Sequence, residues 1–429
     1  MNAQPIPVLI VDDDPTFGAF LQLLVRKMGE REPCEAKWVT TGAAMLSELG
    51  RKQYELILLD YNLQDTDGLE LLSEIRLLPM GNRPAVIMLT GAGSEEVAVE
   101  AMKLGARDYL VKGAFDLPAL RRAILAAMER RRLEVQLAQS ADELRQRSQQ
   151  MEAELAMARE VQQALLPQQY PTIPRGAAEG AALRFYHRWI PSSAVAGDFF
   201  EVFPVSDTAA GVFICDVMGH GVRAALITAL MRGLLEELTP LAADPGRFLG
   251  ELNRSLKTIL QRTNEIVFAT AFYLVIDPVR GELRFANAGH PHPLHVQHSA
   301  GTVTTLQCEA GPDPALGLIP DIEYQTTTRA AGSEDVVLLF TDGLFEAAGE
   351  GGEEFGLHRL RQAVRSRLGL AVPPLFDALL GEVKEFQAPG QSAGFADDVC
   401  LVAVELPGGA TNSAMTEAPG LACESGASR

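Results

Sequence analysis

The chain has 429 residues, 47% of them hydrophobic and 22% charged, an ordinary globular balance with length for two or three domains. Its 37 Lys plus Arg stand against 56 Asp plus Glu, and the formal charge of −19 argues against broad attraction to nucleic acid or anionic membranes. No run of about 18 uncharged apolar residues occurs, which excludes an ordinary membrane-spanning helix.

The first residues, MNAQPIPVLIVDDDP, run straight into acids without a basic n-region or cleavage site, so no signal peptide is expected. Within residues 1–118, VLIV (8–11), LILL (56–59), AVIML (85–89) and DYLVK (108–112) read as buried strands. Between them, Phe17, Phe20, Leu21 and Leu24, then Leu69, Leu72, Ile75 and Arg76, carry helical spacing. Such alternation predicts an α/β domain with a doubly wound parallel sheet, whose active groups collect at the carboxyl ends of the strands.

Residues 119–169 change character. From Pro118 to Leu166 there is no Gly, and no Pro recurs until Pro167. Leu133, Leu137, Leu144, Met151, Leu155, Ala158 and Leu165 form an apolar seam, with Arg147 and Ser148 where it slips. This predicts one long helix that pairs two copies of the chain as a parallel coiled coil over 119–166. The basic run ERRR (129–132) reads as a solvated flank.

Residues 170–407 read as α+β. GVFICDV (211–217), FATAFYLVID (268–277), GELRFANAG (281–289) and DVVLLFTDG (335–343) are expected strands, and RAALITALMRGLLEEL (223–238) a buried helix. Residues 408–429 are small and polar, the composition of a disordered tail. The cysteines Cys34, Cys215, Cys308, Cys400 and Cys423 are scattered with no CxxC pair, the usage of a reduced cytoplasmic protein.

Two constellations carry chemistry. Asp12, Asp13 and Asp14 follow the first strand, and Asp60 follows another. Three carboxylates at one sheet end repel unless a cation such as Mg²⁺ neutralises them. Thr90 and Lys112 end two later strands, so a hydroxyl and an ammonium share the crevice, where an aspartate can act as nucleophile toward a phosphoryl group. The plainer role for such acids is capping helix N-termini. The ordered motifs VDDDP (11–15), LDYNLQDTDG (59–68), MLTG (88–91) and YLVKG (109–113) resemble the response-regulator receiver family over the whole first domain. That resemblance implies phosphorylation of Asp60 by a histidine kinase, Mg²⁺ held by Asp12, Asp13, Asp60 and the carbonyl of Asn62, Thr90 and Lys112 on the phosphoryl oxygens, and Tyr109 with Thr90 as the switch. Gln64 replaces the family's usual Pro. Gly113 replaces the Pro after the Lys, where a cis bond would cost about 2.5–4 kcal/mol without it.

In the last domain Asp198 in AGDFF, Asp216 in CDVMGHG, Asp342 in FTDGLFEA and the Asp397–Asp398 pair in FADDVCLVAV each sit beside Gly or at a strand end. Acids without Cys or an obligatory His suit Mg²⁺ or Mn²⁺, and two such ions about 3.5–4 Å apart can drive direct attack of water on phosphorus. Singly, each Asp-Gly is an everyday turn. Together, AREVQQALLP, AGDFFEV, CDVMGHGVRAAL, NAGHPHPL, PALGLIP, LLFTDGLFEAAGEGGEEFG and DDVCLVAV resemble the PPM (protein phosphatase 2C-like) family in its SpoIIE and RsbU branch, over about residues 150–405. The resemblance implies an α+β sandwich flanked by helices and a two-metal (Mn²⁺ or Mg²⁺) serine/threonine phosphatase acting on STAS-type anti-sigma-factor antagonists. Asp216 would bridge both metals, the carbonyl of Val217 would ligate one, Asp342 and Asp397 would ligate from later strands, and Asp198 would hold metal-bound water. Asp398 is not expected to be a ligand. Val217 and Cys400 depart from the commoner Gly and Thr.

Other groups are set aside. His290, His292, His295 and His298 crowd nine residues, but prolines between them favour loop then strand over a metal site. His220 is expected to shape the site or orient water, Cys215 to be a buried strand residue, and GAGS (91–94) is too short for a phosphate loop. The rival reading is a non-catalytic adaptor that binds a sigma factor or antagonist through a degenerate phosphatase domain, which has no reason to keep metal acids. A DNA-binding output is disfavoured by the acidic charge.

Overall fold

The computed structural model describes residues 5–28, 33–91, 95–178, 180–261, 267–308, 313–387 and 394–408, so most of GAGS, Cys423 and the expected tail from residue 409 fall outside the described residues. The chain divides into two compact units, Met1–Gln150 and Met151–Arg429.

The first unit runs β1 (Ile6–Val11), α1 (Pro15–Met28), β2 (Cys34–Val39), α2 (Gly42–Leu49), β3 (Leu56–Asp60), α3 (Gly68–Arg76), β4 (Ala85–Thr90), α4 (Glu95–Leu104) and β5 (Asp108–Val111), then enters α5 (Leu117–Leu165). The strands form one parallel sheet in the order β2-β1-β3-β4-β5. Side-chain alternation explains the run-like sequences of its centre. Val8, Ile10, Leu56, Leu58, Ile87 and Leu89 pack one face against α1 and the start of α5. Leu9, Val11, Ile57, Leu59, Val86 and Met88 pack the other against α2, α3 and α4. The four expected strands are present; β2 is an addition to them. Its sequence, CEAKWV, alternates charged and apolar residues because it is a half-exposed edge. On α1, Leu21 and Leu24 are buried whereas Phe20 is 42% exposed, so the helical spacing around it exceeds the core-facing stripe.

The expected long helix is α5. Leu120, Ala123, Ile124 and Ala127 bury against the first sheet, while Leu133, Leu137, Leu144 and Met151 are exposed along the rod. The basic run is not wholly solvated: Arg131 Nε donates to the Arg83 carbonyl at 2.7 Å.

The second unit contains β6 (Arg184–Ile190), β7 (Asp198–Pro204), β8 (Ala210–Val217), α6 (Val222–Leu238), α7 (Pro245–Leu260), β9 (Ala269–Asp277), β10 (Glu282–Ala288), β11 (Leu294–Gln297), β12 (Thr302–Thr305), β13 (Thr327–Ala330), β14 (Val336–Phe340), α8 (Gly356–Arg365), α9 (Val372–Phe386) and β15 (Val399–Glu405). Two antiparallel sheets, β13-β10-β9-β8-β7 and β12-β11-β14-β15-β6, pack face to face. In β14 and β15, Val337, Leu339, Cys400, Val402 and Val404 face the other sheet, and Val336, Leu338, Phe340, Val399, Leu401 and Ala403 face α8 and α9. The helices α6 and α7 cover the outer side of the first of these sheets through Met231, Leu235, Phe248, Leu252 and Leu256. The expected buried helix, α6, buries one face only, and Leu226 on the other is open to solvent. No described helix is long and apolar enough to cross a membrane.

Candidate functional site

In the first unit the acids gather where the parallel strands end. Oxygens of Asp12, Asp13 and Asp60 lie within 4.8 Å of one another. Lys112, just past β5, places Nζ 2.8 Å from Asp12 Oδ2 and 2.8 Å from Asp60 Oδ2, with its ammonium 4.8 Å from the Phe17 ring centroid. Burial pushes the Asp60 carboxyl up to about 6; Lys112 pulls it down, and Asp12 and Asp13 push it further up. Burial pulls the Lys112 ammonium down, yet Asp12 and Asp60 leave it raised. One ammonium cannot neutralise three carboxylates, so the crevice fits a hard divalent cation. Asp14 instead caps α1, its Oδ1 accepting the Thr16 N–H at 2.8 Å. Thr90 is buried at the end of β4, Asn62 bridges to Asp67 across the next turn, and Tyr109 on β5 is 42% exposed. The sole cis peptide among the described residues is Ile173–Pro174, so Lys112–Gly113 is trans, and Gly113 adopts φ +79°. A left-handed glycine thus turns the loop where the family usually has Pro.

In the second unit the register of β7 and β8 sets Asp198 directly opposite Asp216. Asp342 leaves the end of β14, and Asp397 and Asp398 precede its antiparallel neighbour β15. Close backbone approach requires two of the glycines. A Cβ on Gly343 would meet the Asp398 carbonyl oxygen at 2.1 Å, and one on Gly197 would meet the Val217 carbonyl oxygen at 2.8 Å. Burial, and then Asp342 and Asp397, push the Asp216 carboxyl up to about 7. Burial and Asp216 hold Asp198 well above the usual carboxylate range, against the Thr341 hydroxyl that donates to its Oδ2 at 2.6 Å. Asp342 is raised by burial and by Asp397. Carboxyls raised by burial and by one another describe a site in want of cations, and the oxygen-only donor set fits Mg²⁺ or Mn²⁺. The set is more open than the first: among the described residues only the Asp12–Asp13–Asp60 trio brings three ligand atoms within 4.8 Å.

Asp398 is tied to the backbone that leads into β7. Its Oδ1 accepts the Ser192 N–H (2.7 Å) and hydroxyl (2.8 Å), and its Oδ2 accepts the Gly197 N–H at 2.6 Å. Sequence reasoning missed Glu346, a largely exposed acid whose partial burial, and then Asp342, raise its carboxyl, and Thr341, whose hydroxyl links Asp198 to the Cys400 N–H. Both lie in FTDGLFEA, where their spacing to Asp342 is the only signal. His220 is exposed and Cys215 fully buried. The crowded histidines have separate partners: His290 pairs with Thr270, His292 with Asn287, His295 with Asp335 at 2.9 Å, and His298 with the Glu334 and Leu368 carbonyls.

Comparison with known proteins finds a family-model match in each unit. The response regulator receiver domain model matches residues 8–125, and the Stage II sporulation protein E (SpoIIE) model matches residues 206–407. The phosphoserine phosphatase RsbP of Bacillus subtilis is 33% identical over 156 residues, covering 36% of this chain and 38% of RsbP. The phosphoserine phosphatase RsbU of the same organism is 26% identical over 247 residues, 57% of this chain and 69% of RsbU. This chain therefore spans little more than a third of RsbP. The SiaA-PP2C domain of Pseudomonas aeruginosa shares the second unit's fold, with TM-score 0.51 and 24% identity over 60% of this chain and 98% of that one. Residues 8–125 thus match the response regulator receiver domain and residues 206–407 the SpoIIE domain, in a chain similar to the phosphoserine phosphatases RsbP and RsbU.

Proposed function

We propose that this chain is a receiver-gated, metal-dependent phosphatase that hydrolyses phosphoserine or phosphothreonine on a partner protein, a STAS-type anti-sigma-factor antagonist, in the cytoplasm. The observation that carries the reading is the convergence of Asp198, Asp216, Asp342 and Asp397 at the ends of β7, β8, β14 and β15, with Asp216, Asp198 and Asp342 raised by burial and by their acidic neighbours. The phosphoserine phosphatase activity of RsbP and RsbU supports the reaction class. Asp216, the Val217 carbonyl, Asp342 and Asp397 would hold two Mn²⁺ or Mg²⁺ ions. When bound, these ions supply positive charge that activates water and offsets the charge developing at phosphorus. Asp198, fixed by the Thr341 hydroxyl, orients the attacking water. The water oxygen bonds to phosphorus, the P–Oγ bond breaks, and the water proton ends on the released serine hydroxyl, with no phosphoenzyme.

In the receiver, a histidine kinase would phosphorylate Asp60 beside Mg²⁺ held by Asp12, Asp13 and the Asn62 carbonyl. Lys112 already spans Asp12 and Asp60. Thr90 and Tyr109 then repack around the new charge, and α5 carries the change onward. The exposed Leu133, Leu137, Leu144 and Met151 support pairing of two chains through residues 119–166. The test is phosphate release from a phosphoserine STAS-domain protein with Mn²⁺, wild type against Asp216→Asn. Turnover by the wild type alone supports the reading; no release by either from several such substrates refutes it.

A further inference from the structure

Gln162, within AREVQQALLP, is a buried polar side chain to which the sequence assigns no role. It lies on the last turn of α5 and is 4% exposed. Its Oε1 accepts the Ala196 N–H at 2.9 Å, and its Nε2 donates to the Ala196 carbonyl at 2.7 Å and to Thr228 Oγ1 at 3.1 Å. Thr228, on α6, donates its own proton to the Ala225 carbonyl at 2.8 Å. Both donors and the acceptor of the carboxamide are thus committed. Pairing with the N–H and C=O of a single residue copies what a strand neighbour does in an antiparallel ladder. Here it does so two residues before Asp198, where β7 begins.

The three residues leading into the acid site are each gripped from a different element. Ala196 is held by Gln162, Gly197 by Asp398 at 2.6 Å, and the Asp198 carboxyl by Thr341 at 2.6 Å. We propose that Gln162 is a positioning residue for the metal-binding acids: through Ala196 it fixes Asp198 opposite Asp216, making the last turn of α5 part of the site. The inference rests on the two-metal reading above. A residue step turns a helix by about 100°, so rotation of this turn withdraws both bonds from Ala196 together and loosens Asp198 without touching any ligand.

The test uses the full chain and Gln162→Met, which keeps most of the volume and removes all three bonds, with Thr228→Val as the companion that leaves both Ala196 bonds in place. Thermal unfolding is followed against Mn²⁺ concentration, and hydrogen exchange is read on the peptide spanning 190–200. Loss of the two bonds to Ala196 predicts that Gln162→Met exchanges at Ala196 and Gly197 about tenfold faster and needs about tenfold more Mn²⁺ for half-maximal stabilisation. Its kcat falls while KM for the phosphoprotein holds, and Thr228→Val stays within about twofold of wild type on every readout. Unchanged exchange and Mn²⁺ midpoint in Gln162→Met overturn the inference while leaving the two-metal reading standing. An equal loss in Thr228→Val overturns it too, by placing the effect in α6. A wild type that shows no Mn²⁺ shift overturns the two-metal reading itself, and the inference with it.

Discussion

Asp397 and Asp398 are neighbours with opposite surroundings, and isosteric amides separate their roles. Asp398 is buried and accepts three bonds at 2.6–2.8 Å from Ser192 and Gly197. Hydrogen bonds to a charged acceptor contribute about 1.5–3 kcal/mol each, and they do not add. Asn at 398 keeps one oxygen and turns its NH₂ toward a backbone N–H, so one donor is left buried and opposed. The expected loss is about 2–4 kcal/mol, or about 5–15 °C in the melting temperature of a domain this size. Asp397 is exposed, and its one described bond is to the Asp398 N–H at 2.8 Å, which an amide oxygen also accepts. Asp397→Asn should therefore change metal-free stability by less than about 0.5 kcal/mol. It should raise the Mn²⁺ midpoint at least about tenfold, since even outer-shell partners of a metal are worth that much. Differential scanning fluorimetry across a Mn²⁺ series reads both quantities. Equal loss of metal-free stability in the two variants would refute the assignment, as would an Asp397→Asn protein with the full Mn²⁺ response.

Thr341→Val removes the hydroxyl that joins Asp198 to the Cys400 N–H and leaves a buried donor orphaned. Denaturant unfolding should show a loss of about 2–4 kcal/mol, and an unchanged midpoint would contradict it. Burial pushes His290 down to about 3 from an ordinary 6.5. The unfolded chain therefore takes up a proton that the fold refuses, and stability present above about pH 6.5 falls as the pH drops. At about pH 5 the loss is about 2 kcal/mol; His290→Gln should flatten the pH 7.5-to-5 difference by that amount, and an identical slope would count against it. Beryllofluoride with Mg²⁺ should change phosphoserine hydrolysis in the wild type and not in Asp60→Asn; equal wild-type rates at proven receiver occupancy would end the coupling argument.

Strand ends are the legible part of this chain. Asp60 and Thr90 stand at the carboxyl ends of apolar runs that are buried on both faces, and such runs declare themselves, while Lys112 follows the short apolar run of the partly exposed edge strand β5. The edge strand β2 does not, because Glu35 and Lys37 interrupt its pattern where solvent takes over one face. The ligand-like acids of the second unit are visible through their glycines, which the close approaches at Gly197 and Gly343 demand. Gln162 and Thr341 are not. Their function lies in bonds to residues 34 and 143 positions away, and a glutamine in a helix or a threonine after a strand looks the same with or without such a partner.

The antiparallel pairing of β14 with β15 has a consequence for how this domain can vary in length. Phe340 faces Leu401, so Asp342 and Asp397 emerge at the same end of the pair. One residue added between Asp398 and Val399 would displace Asp397 by about 3.3 Å and turn it to the opposite face. An addition after Glu405, at the far end of β15, would do neither. Natural variants and engineered insertions should accumulate on that far side, and the stretch from Phe395 to Val399 should keep its residue count even where its side chains change.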